Sequence, residues 1–330
     1  MPKKKTPEKT RARKTKSGKA KPRGPSPLHL ALPATSANLG PAFDAAALAM
    51  NLYITIDAAP APDFSIRATG RDSEICGAIN DEHLILATYR EVLESQRTPV
   101  TPLALRIKND IPIGKGCGSS AAARLAGIAL ANHFGRLRWN DSQIIAEASR
   151  REHHPDNASA CWLGGLAVAR MSDSANAGET EVQVISIRPK GNWPLMLAIP
   201  NHALSTEEAR RVLPAQYSRA DAVANIQNSM LLLAALSQGR PELLSAALED
   251  RIHQPYRAPL CPLLPALQPL AGTPGILGVA LSGAGPSVLI FLDPASNPRA
   301  AQISIASRLT KAALRAELLL TSIATRGARG

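Results

Sequence analysis

Ile111-Pro112-Ile113-Gly114-Lys115-Gly116-Cys117-Gly118-Ser119-Ser120-Ala121-Ala122 joins two segments of different period. Before it, Leu103, Leu105 and Ile107 alternate as a strand that stops at Asn109-Asp110. After it, residues 119–133 are rich in Ala and Leu and read as a helix. Three alternate glycines let the backbone turn its N–H groups inward and approach a ligand closely. The helix start adds unsatisfied N–H groups and the positive end of a dipole. Such a junction is an anion site, and phosphate is its natural occupant. Ser119 and Ser120 supply hydroxyls for a phosphate oxygen or a magnesium ion. A glycine-rich turn can also be purely structural; the strand-to-helix position and the paired serines favour phosphate. No G-K-[ST] closes the loop, so it is not a Walker A sequence, and it lacks the G-x-G-x-x-G spacing of dinucleotide folds.

The rest of the chain frames that loop. Its 330 residues suffice for two domains, and 45% apolar content fits a globular protein. Aromatics make up only 3%, so Ala, Leu, Ile and Val must build the core. The formal charge of +12 is concentrated in residues 1–26, which hold eight Lys, three Arg and one Glu. The folded part is therefore close to neutral. The tail has too little apolar content to order itself and reads as a solvated arm; contact with nucleic acid or a membrane surface is the alternative. It has no apolar signal-peptide core, and no stretch is apolar enough to span a membrane, so a cytoplasmic protein is expected. Cys76, Cys117, Cys161 and Cys261 are scattered, with no C-x-x-C pair, and read as free thiols.

Strand-like and helical segments alternate along the chain, giving an α+β or α/β class whose topology the pattern leaves open. Residues 28–32 form a short apolar run broken by Pro33, residues 52–58 alternate, and residues 81–96 have helical spacing. Residues 139–151 form a second helix, capped by Asn140 or Asp141. The polar segment 171–180 marks an expected boundary, dividing residues 27–175 from residues 176–330.

The loop resembles the second motif of the GHMP kinases. Two further segments match in order. Pro33-Ala34-Thr35-Ser36-Ala37-Asn38-Leu39-Gly40-Pro41-Ala42-Phe43-Asp44 is similar to the first motif as homoserine kinases carry it, and Leu281-Ser282-Gly283-Ala284-Gly285-Pro286-Ser287 to the third. Ala42 and Cys117 depart from the usual residues at their positions, without removing a ligand. The resemblance implies a two-domain α+β fold, with a left-handed βαβ unit in the N-terminal domain and a ferredoxin-like C-terminal domain. ATP would lie between them, held by Pro112 to Ala122 and by Gly283, Ala284 and Gly285, with Asn51 and Tyr53 as base contacts.

His154-Pro155-Asp156-Asn157 reads by itself as a polar turn, but it is similar to the H-x-D-N of homoserine kinases. The resemblance gives His154, Asp156 and Asn157 catalytic places. Asn157 cannot remove a proton at neutral pH, yet it can orient a hydroxyl. Phosphoryl transfer depends more on position and charge than on a strong base. Thr206 and Arg210, four apart on one helix face, and Arg257 match the family's substrate-carboxylate residues. Asn38 and Asp44 match those that would hold the amino and hydroxyl groups. The implied reaction is phosphorylation of L-homoserine by ATP and Mg²⁺ in threonine biosynthesis, by a homodimer. A related kinase of another alcohol, or a regulator without turnover, is the alternative. Glu147 is the expected magnesium ligand with Ser119; the competing reading pairs it with Arg150 or Arg151.

Overall fold

The computed structural model describes residues 25–80, 82–173 and 180–328. The basic tail through Gly24 and the polar residues 174–179 lie outside the described residues. The first part of the chain comprises β1 (Leu28–Asn38), β2 (Ala42–Pro60), β3 (Ser65–Gly70), α1 (Ser73–Gly77), α2 (Leu84–Ser95) and β4 (Leu103–Asn109). It continues through α3 (Ser119–Phe134), α4 (Asp141–Glu152), α5 (Asp156–Leu163), β5 (Leu166–Asp173) and β6 (Thr180–Ile187). The second part comprises β7 (Pro194–Ile199), α6 (Thr206–Arg211), α7 (Arg219–Gln238), α8 (Leu244–Ala247), α9 (Gln254–Arg257) and α10 (Leu263–Leu267). It ends with β8 (Ile276–Leu281), β9 (Val288–Leu292), α11 (Pro298–Lys311) and β10 (Glu317–Ser322).

The first sheet runs β3-β4-β2-β5-β6, with β1 also paired to β2. Strands β3 and β4 are parallel, from Ser65 opposite Ala104 to Gly70 opposite Asn109, and α1 and α2 connect them. The second sheet is antiparallel throughout, in the order β10-β7-β9-β8. Numbered within that half, the order is four-one-three-two, with helices between the first and second strands and between the third and fourth. That is the split βαβ, or ferredoxin-like, arrangement.

The expected boundary at 175/176 is corrected by the sheet itself. Strand β6 pairs with β5 from Leu166 opposite Ile187 to Asp173 opposite Thr180, so residues 180–187 belong to the first sheet. The polar stretch therefore lies between two strands of one sheet, and the division between sheets falls between Ile187 and Pro194. One core cluster passes through both halves, joining Leu32, Leu48 and Leu125 to Leu197, Leu236 and Phe291.

Strands β1 and β2 are longer than their periodicity suggested. Residues 46–50 of β2 are all buried, as are residues 32–38 of β1. A strand covered on both faces shows no alternation, so only the half-exposed end of β2 at 52–58 carried a period-two signal. Helix α4 begins as its cap residues indicate. Asn140 Oδ1 accepts from the Gln143 N–H at 3.0 Å, and Gln143 Oε1 accepts from the Asn140 N–H at 3.0 Å. The His154–Asn157 segment is not a solvated turn: Asp156 opens α5, and His154, Pro155 and Asp156 are buried.

Candidate active site

Gly114, Gly116 and Gly118 have φ of +69°, +75° and +72°, so the loop before α3 alternates into the left-handed region. Successive backbone N–H groups in such a turn form an anion cradle. No side chain caps α3 at Gly118, which leaves its first N–H groups to the cleft. The loop lies close against its neighbours. A Cβ on Gly116 would meet Ser282 O at 2.3 Å, and one on Gly118 would meet Thr35 Oγ1 at 1.9 Å. The three motifs meet here. Thr35 N–H donates to Cys117 O at 3.0 Å, Ser282 Oγ to Gly116 O at 2.8 Å, and Gly283 N–H to Ala37 O at 3.1 Å.

The cleft is lined by Gly114, Gly116, Gly118, Ser119, Ser120 and Ala121 on one wall. Asn38, Asp44, Thr206, Arg210 and Arg257 stand on the other; Glu152, His154, Asp156 and Asn157 lie between, with Gly283, Ala284 and Gly285 also at the cleft. Sequence reasoning thus brings together most of its candidates. Pro112, Ile113 and Ala122 pack beside the loop as its supports, the first and last of them buried.

Lys115 points elsewhere. Its ammonium donates to the carbonyls of Pro200 at 2.8 Å, Asn201 at 2.5 Å and His202 at 3.0 Å. The side chain fastens the loop to the segment after β7, so only the Lys115 backbone faces a phosphate role. Cys117 is fully buried, and burial pushes its thiol up to about 12, which makes it inert packing.

The two remaining departures concern the metal and the base. Glu147 is engaged by Arg150 Nη2 at 2.8 Å and by Arg151 Nε at 2.7 Å, in a surface pocket with Ser95, Gln96 and Gln143. Its i,i+3 and i,i+4 neighbours on α4 satisfy it, and it does not reach Ser119. The carboxylate at the phosphate loop is Glu152, five residues later. Its Oε1 accepts from Ser120 Oγ at 2.7 Å and from Arg124 Nε at 2.6 Å, and its side chain is 10% exposed. Glu152 stands five residues before Asn157, so its nearness to H-x-D-N was the available signal.

Asn51 and Tyr53 lie on the wrong surface of β2. Asn51 donates to Ser322 Oγ at 2.7 Å and Tyr53 donates to Asn51 Oδ1 at 2.9 Å, joining β2 to β10. A largely apolar pocket of about 650 Å³ instead opens beside the loop, lined by Ile54, Ile75, Cys76, His83, Ile111 and Ile113 and sharing Ser119 and Ser120 with the cleft. Its largely apolar lining suits a flat heterocyclic base, and its volume is in the range of small-molecule sites.

On the opposite wall, Arg210 donates through Nη1 and Nη2 to Asp44 Oδ2 and Oδ1 at 3.0 and 2.7 Å. Arg257 is only 1% exposed and makes no ion pair among the described residues. Its guanidinium and that of Arg210 lie 5.2 and 5.4 Å from the Phe43 ring centroid, so two cations share one aromatic residue. Burial, with the like charge of Arg210, lowers Arg257 to about 10. It remains protonated at neutral pH, and a buried guanidinium of this kind favours an anionic ligand.

Asn38 has a different duty from the expected one. Its Nδ2 donates to Gly283 O at 2.8 Å and its Oδ1 accepts from the Asp44 N–H at 3.0 Å, so it braces the wall that carries Asp44. Asn157 Oδ1 accepts from Thr35 Oγ1 at 2.6 Å, which fixes the amide at the end of the phosphate loop. His154 Nδ1 lies 2.6 Å from Asp156 Oδ1. Burial alone would lower its pKa, but the bond to Asp156 and the charges of Asp156, Asp44 and Glu152 outweigh burial and raise it.

Comparison with known proteins agrees with this geometry. The "GHMP kinases N terminal domain" family matches residues 83–165, and "GHMP kinases C terminal" matches residues 232–311. A homoserine kinase of Solibacter usitatus is 46% identical over 80% of this chain and 85% of its own length. One from Synechococcus is 37% identical over 88% of this chain and 94% of its own. The crystal structure of a homoserine kinase from Cytophaga hutchinsonii superposes with a TM-score of 0.72 and 22% identity, covering 91% of this chain and 96% of that one, which speaks to the fold. With three motif segments joined at one cleft and relatives of this similarity along most of its length, the chain belongs to the GHMP kinase family, within its homoserine kinase branch.

Proposed function

We propose that the cleft transfers the γ-phosphoryl group of ATP to the side-chain hydroxyl of L-homoserine, giving O-phospho-L-homoserine and ADP, a step toward threonine. The single observation that carries the substrate is the pairing of Arg257 and Arg210 around Phe43, with Asp44 bound to Arg210 and lining the same cleft. A zwitterionic amino acid satisfies all three groups: its carboxylate takes the guanidinium donors, and its ammonium takes Asp44. Neutral sugars offer neither charge. Thr206, one turn before Arg210 on α6, lines the same wall.

The base sits in the apolar pocket, and the triphosphate crosses Ser119 and Ser120 to the N–H groups of the loop. Asn157, held by Thr35, orients the hydroxyl toward the γ-phosphorus. The O–P bond forms as the bond to the β,γ-bridging oxygen breaks, and the hydroxyl proton leaves to a phosphoryl oxygen, since an amide has no basic atom for it. Ser119, Ser120 and Glu152 fit a magnesium ion: both hydrogen bonds to Glu152 use Oε1, and the donor set is all oxygen. When bound, the ion neutralises charge on the phosphates. His154 Nδ1, 2.6 Å from Asp156 Oδ1, ties the start of α5 to the cleft wall beside Asn157.

The test is a coupled ADP-release assay over L-homoserine, mevalonate, galactose and shikimate. Turnover confined to L-homoserine is expected. Turnover of one of the others, with none of L-homoserine, would assign a different alcohol. ATP binding without turnover of any would make the chain a regulator.

A further inference from the structure

His253 is wholly buried and outside every motif that points to the site, yet it holds the residue on which substrate capture depends. Its Nε2 lies 2.7 Å from Gly40 O, and a carbonyl can only accept. Its Nδ1 lies 3.2 Å from Arg257 Nη1, and a guanidinium can only donate. The two contacts together fix one form of the ring: neutral, with the proton on Nε2 and the lone pair on Nδ1. Burial supports the same form, lowering the imidazole to about 4. The ring stacks on Phe43 at 5.3 Å and 27°, so its plane is set as well.

The charged groups around it complete the picture. Asp250 faces the ring, but its nearest approach to Nε2 is 3.6 Å; its oxygens accept from the backbone N–H groups of Ile252, His253 and Gln254. Arg257 donates Nε to Ala209 O at 2.9 Å and Nη1 to His253, and also approaches Gly283 O at 3.5 Å. No hydrogen bond among the described residues uses Arg257 Nη2, and the residue lines the cleft.

We infer that His253 is a positioning residue: its Nδ1 lone pair, held in place through Gly40 and Phe43, fixes one edge of the Arg257 guanidinium so that Nη2 is presented to the substrate carboxylate. This rests on the amino-acid substrate proposed above. It adds a link from the first motif, at Gly40, to substrate affinity through a histidine that touches neither substrate nor nucleotide.

Two isosteric substitutions separate this role from simple packing. In His253→Gln the amide replaces Nε2 and keeps a donor for Gly40, but the acceptor for Arg257 is gone. In His253→Asn the amide oxygen stands near Nδ1 and keeps that acceptor. Losing one hydrogen bond to a charged group corresponds to roughly 10- to 100-fold. His253→Gln is expected to raise the KM for L-homoserine by about that factor, while His253→Asn, which keeps the acceptor but loses its anchor at Gly40, is expected to raise it severalfold less. In both, kcat and the KM for ATP are expected to hold. Equal effects of the two substitutions, or losses shared by kcat and both KM values, would reduce His253 to a packing residue. Because either variant can misfold, ¹⁵N NMR of the unaltered chain provides a second readout. The Nδ1 resonance should report an unprotonated nitrogen and should move when L-homoserine is added but not when ADP alone is added. An Nδ1–H ring, or a resonance indifferent to L-homoserine, would overturn the assignment. Failure of the amino-acid reading itself is distinct: the unaltered chain would then not turn over L-homoserine.

Discussion

The two walls of the cleft recognise charge by different means. The phosphate wall is backbone: Gly114, Gly116 and Gly118, with the first N–H groups of α3. The substrate wall is side chain: Arg210, Asp44 and Arg257, arranged on Phe43 and His253. Apart from proline, no substitution deletes a backbone donor, so the first wall is vulnerable chiefly to crowding. Side-chain donors can be removed one at a time, so the second wall should lose function in graded steps that fall on one substrate. The junction between the walls is Asn157, bonded to Thr35 beside the loop.

The largest effect is expected at that junction. Asn157→Ala should lower kcat by about 10² to 10³, with smaller changes in either KM, if the amide orients the reacting hydroxyl as proposed. A loss confined to the L-homoserine KM would move Asn157 onto the substrate wall. Next comes crowding of the backbone wall. Gly118→Ala would put a methyl 1.9 Å from Thr35 Oγ1 at a φ of +72°. The resulting shift of the loop should cost about a hundredfold in kcat/KM for ATP. Activity near that of the parent would show that the loop is not held by this contact.

Arg210→Ala should raise the L-homoserine KM by roughly 10- to 100-fold and leave ATP binding by calorimetry unchanged. A parallel fall in ATP affinity would erase the distinction between the walls. The smallest comparison separates two glutamates on α4. Glu152→Gln should raise the magnesium concentration needed for half-maximal rate by about tenfold, whereas Glu147→Gln, which loses only ion pairs with Arg150 and Arg151, should stay within about twofold. The reverse order in a magnesium titration would restore Glu147.

The backbone wall was the more legible of the two in the sequence. Three glycines and two serines between a strand pattern and a helix pattern state the loop's conformation and its ligand class locally. The substrate wall is assembled from Asp44, Arg210 and Arg257, which are far apart in sequence and look like surface charges until the fold unites them. His253 and Phe43 carry no local mark of their service to Arg257, because that service exists only in three dimensions. Of the two readings open for Glu147, helical geometry decides for the arginines, which stand one turn away. Glu152 escaped notice because the helix was expected to end one residue earlier, at Arg151. The boundary at 175/176 failed for a related reason: polar composition marks a break between elements, and only strand pairing tells whether the elements on either side belong to two domains or to one sheet.

The most direct test is ³¹P NMR of the full chain with ATP, magnesium and L-homoserine. The expected result is stoichiometric appearance of ADP and a phosphomonoester resonance coupled to the homoserine side-chain methylene, with no free phosphate. Free phosphate and ADP without that ester, or an ester formed only with an alcohol that lacks a carboxylate, would contradict the assignment of the two walls.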